Sequence, residues 1–197
     1  MSERGSDTTE SGAGAGGAGI GGAGVGGAGV GGVLEEDHHR IDAQFAAFAH
    51  SLDGRGAPDV TSLAAAARGL RRHIMVEEEL HFPPLRAGGL IGPIFVMLRE
   101  HGEIWDGLDR LDALVAAGAA PADLQEVWRA LEQALAAHNL KEERILYPSG
   151  DSILTPEESE AILAAIASER DVPAGWVCEF AGRTSSAPVN SARQLPW

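Results

Sequence analysis

Apolar positions recur every three or four residues along four stretches of the chain, and each stretch carries a histidine where the pattern asks for an apolar side chain. The first stretch runs Leu34, Ile41, Phe45, Phe48 and Leu52, with His38 in its one gap. The second, from about Thr61 to His81, carries Leu63, Ala66, Leu70, His73, Glu77 and then Leu80 or His81. The third starts near Gly92-Pro93 and carries Ile94, Met97, His101, Ile104, Leu108, Leu111 and Val115. The fourth follows GAAPAD, with Pro121 in its first turn, and carries Leu124, Val127, Leu131, Leu135, His138, Glu142 and Ile145. A helical period over such lengths predicts an all-α protein.

Punctuation sets the boundaries. The acids of LEEDHH suit a helix N-terminus, and DGRGAPD breaks the chain after the first helix. Pro83 and Pro84 are expected to end the second, and Tyr147-Pro148 the fourth. A short fifth helix opens at TPEE, where Thr155 is the N-cap, Pro156 sits at N1 and Glu158 completes a capping box. Ile162 and Ile166 give it a narrow apolar edge. The expected organisation is a Gly/Ala-rich tail over residues 1–33, a helical domain over 34–150, an accessory helix over 151–170 and an irregular C-terminal tail over 171–197.

The tail holds a near five-residue repeat, GGAGIGGAGVGGAGVGGV, without charge from Ser11 to Leu34. Glycine fills more than half of those positions, which argues against a membrane span and for a flexible linker, with a protein partner as the minor alternative. A net charge of −14 argues against nucleic acid and anionic membranes as partners. The lone Cys178 excludes an internal disulfide and fits a reducing, cytoplasmic setting.

HIMVEEELHFPP (residues 73–84) aligns with HNLKEERILYPS (residues 138–149), and His38 precedes His101 by 63 residues while His73 precedes His138 by 65. The domain therefore reads as one helical hairpin occurring twice. Six polar groups, His38, His73, Glu77, His101, His138 and Glu142, fall on the apolar stripes. Desolvating unpaired carboxylates costs several kcal/mol each. The basic residues Arg71, Arg72, Arg99, Lys141 and Arg144 lie beside the stripes rather than on them. A metal supplies the missing charge. Mixed imidazole and carboxylate donors suit iron, manganese or zinc, and two glutamates can bridge a pair of metals about 3.5–4 Å apart.

The ordered set His38, His73-x-x-x-Glu77, His101 and His138-x-x-x-Glu142, with EEELHFP and EERILYP closing its two halves, resembles the hemerythrin-like (HHE cation-binding) family over residues 34–150. The resemblance implies an up-and-down four-helix bundle around two iron ions. His38 and His73 would serve one, His101 and His138 the other, with Glu77 and Glu142 as bridges. It also implies binding or reduction of dioxygen, peroxide or nitric oxide. An iron or oxygen sensor or store, and an oxygenase or oxidase acting on an organic substrate, stand as alternatives. For the last, Gly69, Gly102 and Gly107 are candidate sources of pocket space.

Two positions depart from the family pattern. Trp105 stands where an oxygen carrier has a second histidine on the third helix, and His81 stands where an aliphatic residue is usual. An exposed helix-end His81 is the favoured expectation, with a fifth imidazole or a group behind the donors as the alternative. Asp42 is expected to orient His38, and Glu78 is a candidate extra carboxylate or a group behind the donors. Ferritin-like Glu-x-x-His spacing occurs at Glu35/His38 and Glu78/His81, but it leaves His73, His101 and His138 without a role.

Overall fold

The computed structural model describes residues 29–54 and 56–183, which form helices and turns with no strand among them. The helices are α1 (Val30–Leu52), α2 (Val60–Val76), α3 (Phe82–Ala87), α4 (Ile91–Ala116), α5 (Pro121–Lys141), α6 (Tyr147–Ile153) and α7 (Pro156–Ala167). Two π-helical segments, Glu77–His81 and Glu142–Leu146, join α2 to α3 and α5 to α6. None of the described helices is long and apolar enough to cross a membrane.

The long helices α1 and α2 pack along each other, as do α4 and α5, while α1 also meets α5 and α2 meets α4. Their interior is divided in two. One apolar cluster gathers Phe45, Phe48, Leu63, Leu70, Leu108, Leu111, Trp128 and Leu131. The other gathers Leu34, Val76, Phe82, Leu85, Ile94, Met97, Leu146 and Ile162. Between the stretches of each helix that feed the two clusters lie the histidines and glutamates of the stripes.

Helix α1 starts inside the glycine repeat, so the expected tail boundary at residue 33 falls within it. Val30 is buried, and the Gly31 N–H donates to Asp151 Oδ1 at 3.1 Å. A Cβ at Gly31 would lie 2.8 Å from Tyr147 Cβ, so the last repeat unit is short of side chains where α1 touches α6. The acids of LEEDHH consequently sit beyond the first turn, and Asp37 is buried. Residues 1–28 and 184–197 lie outside the described residues.

The prolines do not end the second and fourth helices. In each π segment the next helix's first N–H reaches back five residues, Phe82 to the Glu77 carbonyl and Tyr147 to the Glu142 carbonyl. The prolines then fall in the first turn of α3 and α6, where a missing N–H costs nothing. The wider turn also rotates the helix beyond it. Leu146 faces inward and Ile145 is exposed, opposite to the apolar pattern, and His81 faces inward with Leu146. On α5, Trp128 rather than Val127 enters the core. The Thr155–Glu158 capping box forms at the start of α7.

Gly69 lines a surface cavity with Arg40, Arg68 and Glu169, none of them a histidine or glutamate of the stripes. A Cβ at Gly102 would lie 2.6 Å from the Phe180 carbonyl oxygen, one at Gly69 3.1 Å from Ile41, and one at Gly107 3.2 Å from Leu131. The three glycines permit close packing, at Gly102 against a C-terminal segment that crosses α4.

A chain beginning at Gly29 should keep the melting behaviour of the full chain. One beginning at Gly32 loses the buried Val30 and the Gly31–Asp151 hydrogen bond, and is expected to lose about 2–3 kcal/mol of stability by denaturant unfolding. Equal stability of the two would show that the first turn of α1 contributes nothing.

Candidate metal centre

All six stripe groups meet in the layer between the apolar clusters, each at most 3% exposed. His38 comes from α1, His73 from α2, His101 from α4 and His138 from α5, and each glutamate is the first residue of a π segment. Glu77 Oε1 lies 3.5 Å from His73 Nε2, and its Oε2 lies 3.3 Å from His101 Nε2. Glu142 Oε1 lies 3.1 Å from His138 Nε2 and 3.7 Å from His101 Nε2, while its Oε2 lies 3.5 Å from His38 Nε2. Each carboxylate thus faces both halves of the site. Two donor sets result, Glu77/His101/His138/Glu142 and His38/His73/Glu142, and within each set the atoms lie within 4.8 Å of one another.

The histidines turn Nε2 inward because every Nδ1 meets a carboxylate on a neighbouring helix. Asp37 on α1 holds His73 at 2.9 Å, and Glu78 beside Glu77 holds His101 at 2.9 Å. Glu100 on α4 holds His138 at 3.0 Å, and Glu143 beside Glu142 holds His38 at 3.2 Å. Such partners fix ring orientation and leave the Nε2 lone pair for a metal when the ring is neutral. Cations stand behind two of them: Arg40 and Arg72 pair with Asp37, and Lys141 pairs with Glu100.

One expectation is corrected by this arrangement, and another is narrowed. Asp42 is exposed and makes no hydrogen bond to His38, a task that falls to Glu143. Glu78 points at His101 Nδ1 rather than at the donor sets, so it orients an imidazole. Its second oxygen accepts from the Glu179 N–H at 2.9 Å, and Trp176 Nε1 donates to Glu79 at 2.8 Å. The C-terminal segment therefore steadies Glu78. It also carries Cys178, whose thiol burial and the Glu78 charge push up to about 11, which leaves it unreactive.

Glu77 Oε2, His101 Nε2 and Glu142 Oε1 are buried without any hydrogen-bond partner, although they converge. Buried polar atoms that converge without a hydrogen bond among them are what a cation satisfies, so the donor set fits a metal. Burial would depress His73, His101 and His138, but their carboxylate neighbours override it. Glu77 and Asp37 push His73 up to about 10, and His101 and His138 are also raised by their acid neighbours. Burial would raise both glutamates, yet the imidazoles hold Glu77 and Glu142 below the usual carboxylate range.

Two groups escape the pattern of the sequence. Tyr147, which closes the second half of the repeat, is buried with its hydroxyl 3.0 Å from Glu77 Oε1 and 3.1 Å from His38 Nε2. Its counterpart Phe82 stacks on His101 with ring centroids 5.3 Å apart. His81 is fully buried rather than exposed, with neither ring nitrogen hydrogen-bonded, 5.7 Å from the Tyr147 ring. It belongs to neither donor set, and its counterpart is Leu146.

His81→Leu removes two buried, unsatisfied nitrogens, so it should be neutral or stabilising by about 1–2 kcal/mol, with metal content unchanged. Loss of a metal equivalent on elemental analysis would instead make His81 a donor.

The family model of the hemerythrin HHE cation-binding domain matches residues 32–149. Among curated proteins and among solved structures nothing matches the chain. The family match spans more than half of the chain and contains every donor named above. The chain belongs to the hemerythrin HHE cation-binding domain family.

Proposed function

We propose that the site holds two iron ions and turns over small dioxygen-derived ligands, peroxide foremost, rather than storing dioxygen reversibly. The observation that carries this reading is the placement of Glu77 and Glu142, each with oxygens facing both histidine pairs, as bridging carboxylates would be. The packing of α1 on α2, α4 on α5 and α1 on α5 supports an up-and-down four-helix bundle as the scaffold. A redox-active metal pair would supply electron exchange and an exchangeable coordination position.

The rest is done by the chain. Six donors at most 3% exposed admit a small ligand and exclude a bulky organic substrate, which favours this reading over an oxygenase. Glu78 and Glu100 hold His101 and His138 by Nδ1, so those rings cannot rotate to release Nε2. Trp105 cannot replace the missing second imidazole of α4. Its ring is buried and packs edge-on to Trp176, with centroids 5.6 Å apart. The half of the site built on His101 and His138 would therefore keep a coordination position for an exogenous ligand, with the apolar Phe82 ring stacked on His101.

Anaerobic ferrous loading should give two iron equivalents per chain, and the loaded protein should consume peroxide measurably. One equivalent or none would end the paired-site reading. Reversible oxygen uptake without peroxide consumption would make the protein a carrier.

Loading should also depend on pH. In the metal-free protein His73 stays protonated until about pH 10, and His101 and His138 are raised in the same direction. Their charge stabilises that form fully below the unfolded value of about 6.5 and ceases to do so as pH rises through the folded values. A metal needs the neutral rings, so binding must release their protons and tighten as pH rises from about 6 to about 8. Calorimetry in two buffers of different ionisation heat reads the protons directly. A pH-independent affinity would contradict the charge state assigned to these rings.

A further inference from the structure

The repeat is broken at one aromatic position, and the break lies inside the site. Tyr147 Oη stands 3.1 Å from His38 Nε2, 3.3 Å from His73 Nε2, 3.0 Å from Glu77 Oε1 and 3.4 Å from Glu142 Oε2. Nδ1 of both rings is engaged by Glu143 and Asp37, so both Nε2 atoms are turned toward this oxygen together with the two carboxylates. Two imidazole nitrogens, two carboxylate oxygens and the phenol oxygen thus lie together in one buried group, the mixed donor set that a cation takes up.

Building on the metal-site reading above, we propose that Tyr147 is a further metal donor, binding as a phenolate to the iron held by His38 and His73. Phe82 occupies the equivalent place against His101 and has no oxygen to offer, so the other iron lacks this donor. The two irons are then unlike: one is closed by Tyr147, the other left accessible beside Phe82. In the binding step the phenol O–H bond breaks, its proton passes to solvent, and an iron–oxygen bond forms with no change of oxidation state. A resident cation reverses the local electrostatics that otherwise keep the phenol neutral. Tyrosine serves as a ligand to ferric iron in other protein sites.

The test uses the full chain loaded with iron and oxidised to the ferric state, compared with Tyr147→Phe. The variant copies Phe82, so the change is one that the repeat already accommodates. Metal content, measured separately, should be two equivalents in both. The unmodified protein should show a visible phenolate-to-iron charge-transfer band, with tyrosinate modes in its resonance Raman spectrum, and Tyr147→Phe should lose both. Loading of the variant should also release one proton fewer. Two bound irons without a charge-transfer band, or a band that survives in Tyr147→Phe, would overturn the proposal while leaving the metal pair standing. Failure of the unmodified protein to bind iron would overturn the metal reading and this proposal together.

Discussion

Two carboxylates at the centre of an apolar interior have to be neutralised, and most of the architecture answers that demand. Glu77 and Glu142 are fully buried, and unpaired charges in such surroundings would take up a large share of the fold's margin of stability. Four imidazoles surround them, and each imidazole is itself held by an acid from the next helix. Polar groups therefore occupy a complete layer, and the apolar residues divide into one cluster on either side. The π segments belong to the same solution. They start at the two glutamates and carry the chain past the prolines without a break.

Much of this is legible in the order of residues, because burial obeys helical period. His38, His73, His101 and His138 occupy stripe positions, and a histidine with a glutamate four residues later presents both groups on one face. The acids that orient the rings are not legible in that way. Asp37 and Glu100 immediately precede a donor histidine, and Glu78 and Glu143 immediately succeed a donor glutamate. One residue of offset rotates a side chain about 100° off the stripe, where it reads as solvent-facing. Only the approach of the adjacent helix buries it. Asp42, four residues after His38, is better placed by helical period than Glu143, which reaches His38 from a different helical arm.

The other departures from helical period have physical causes of their own. The apolar pattern puts Ile145 on the stripe and leaves Leu80 and His81 as alternatives, whereas in the π segments Leu146 and His81 face inward. Nothing in EEELH or EERIL signals the wider turn, which depends on where the next helix docks. The start of α1 is hidden because glycine has poor helix propensity. Contact with Tyr147 and Asp151 outweighs it at Gly31, where a side chain would collide. The C-terminal segment from Trp176 to Gly182 lacks any period, yet it fills the space over Gly102 and fastens Glu78.

The acid–imidazole links run from α1 to α2, from the end of α2 to α4, from α4 to α5, and from the end of α5 back to α1. That circuit has no terminus. Each helical arm both presents an imidazole and steadies the one beside it, so undocking any arm costs the centre two links and at least one donor. Occupancy of such a centre is an all-or-none report on the assembled tertiary structure. A bound cation is then thermodynamically linked to global unfolding rather than to local fraying. Chelation would loosen the whole helical assembly at once, and a mutation far from the donors would register as weakened metal retention before it registered as lost helix.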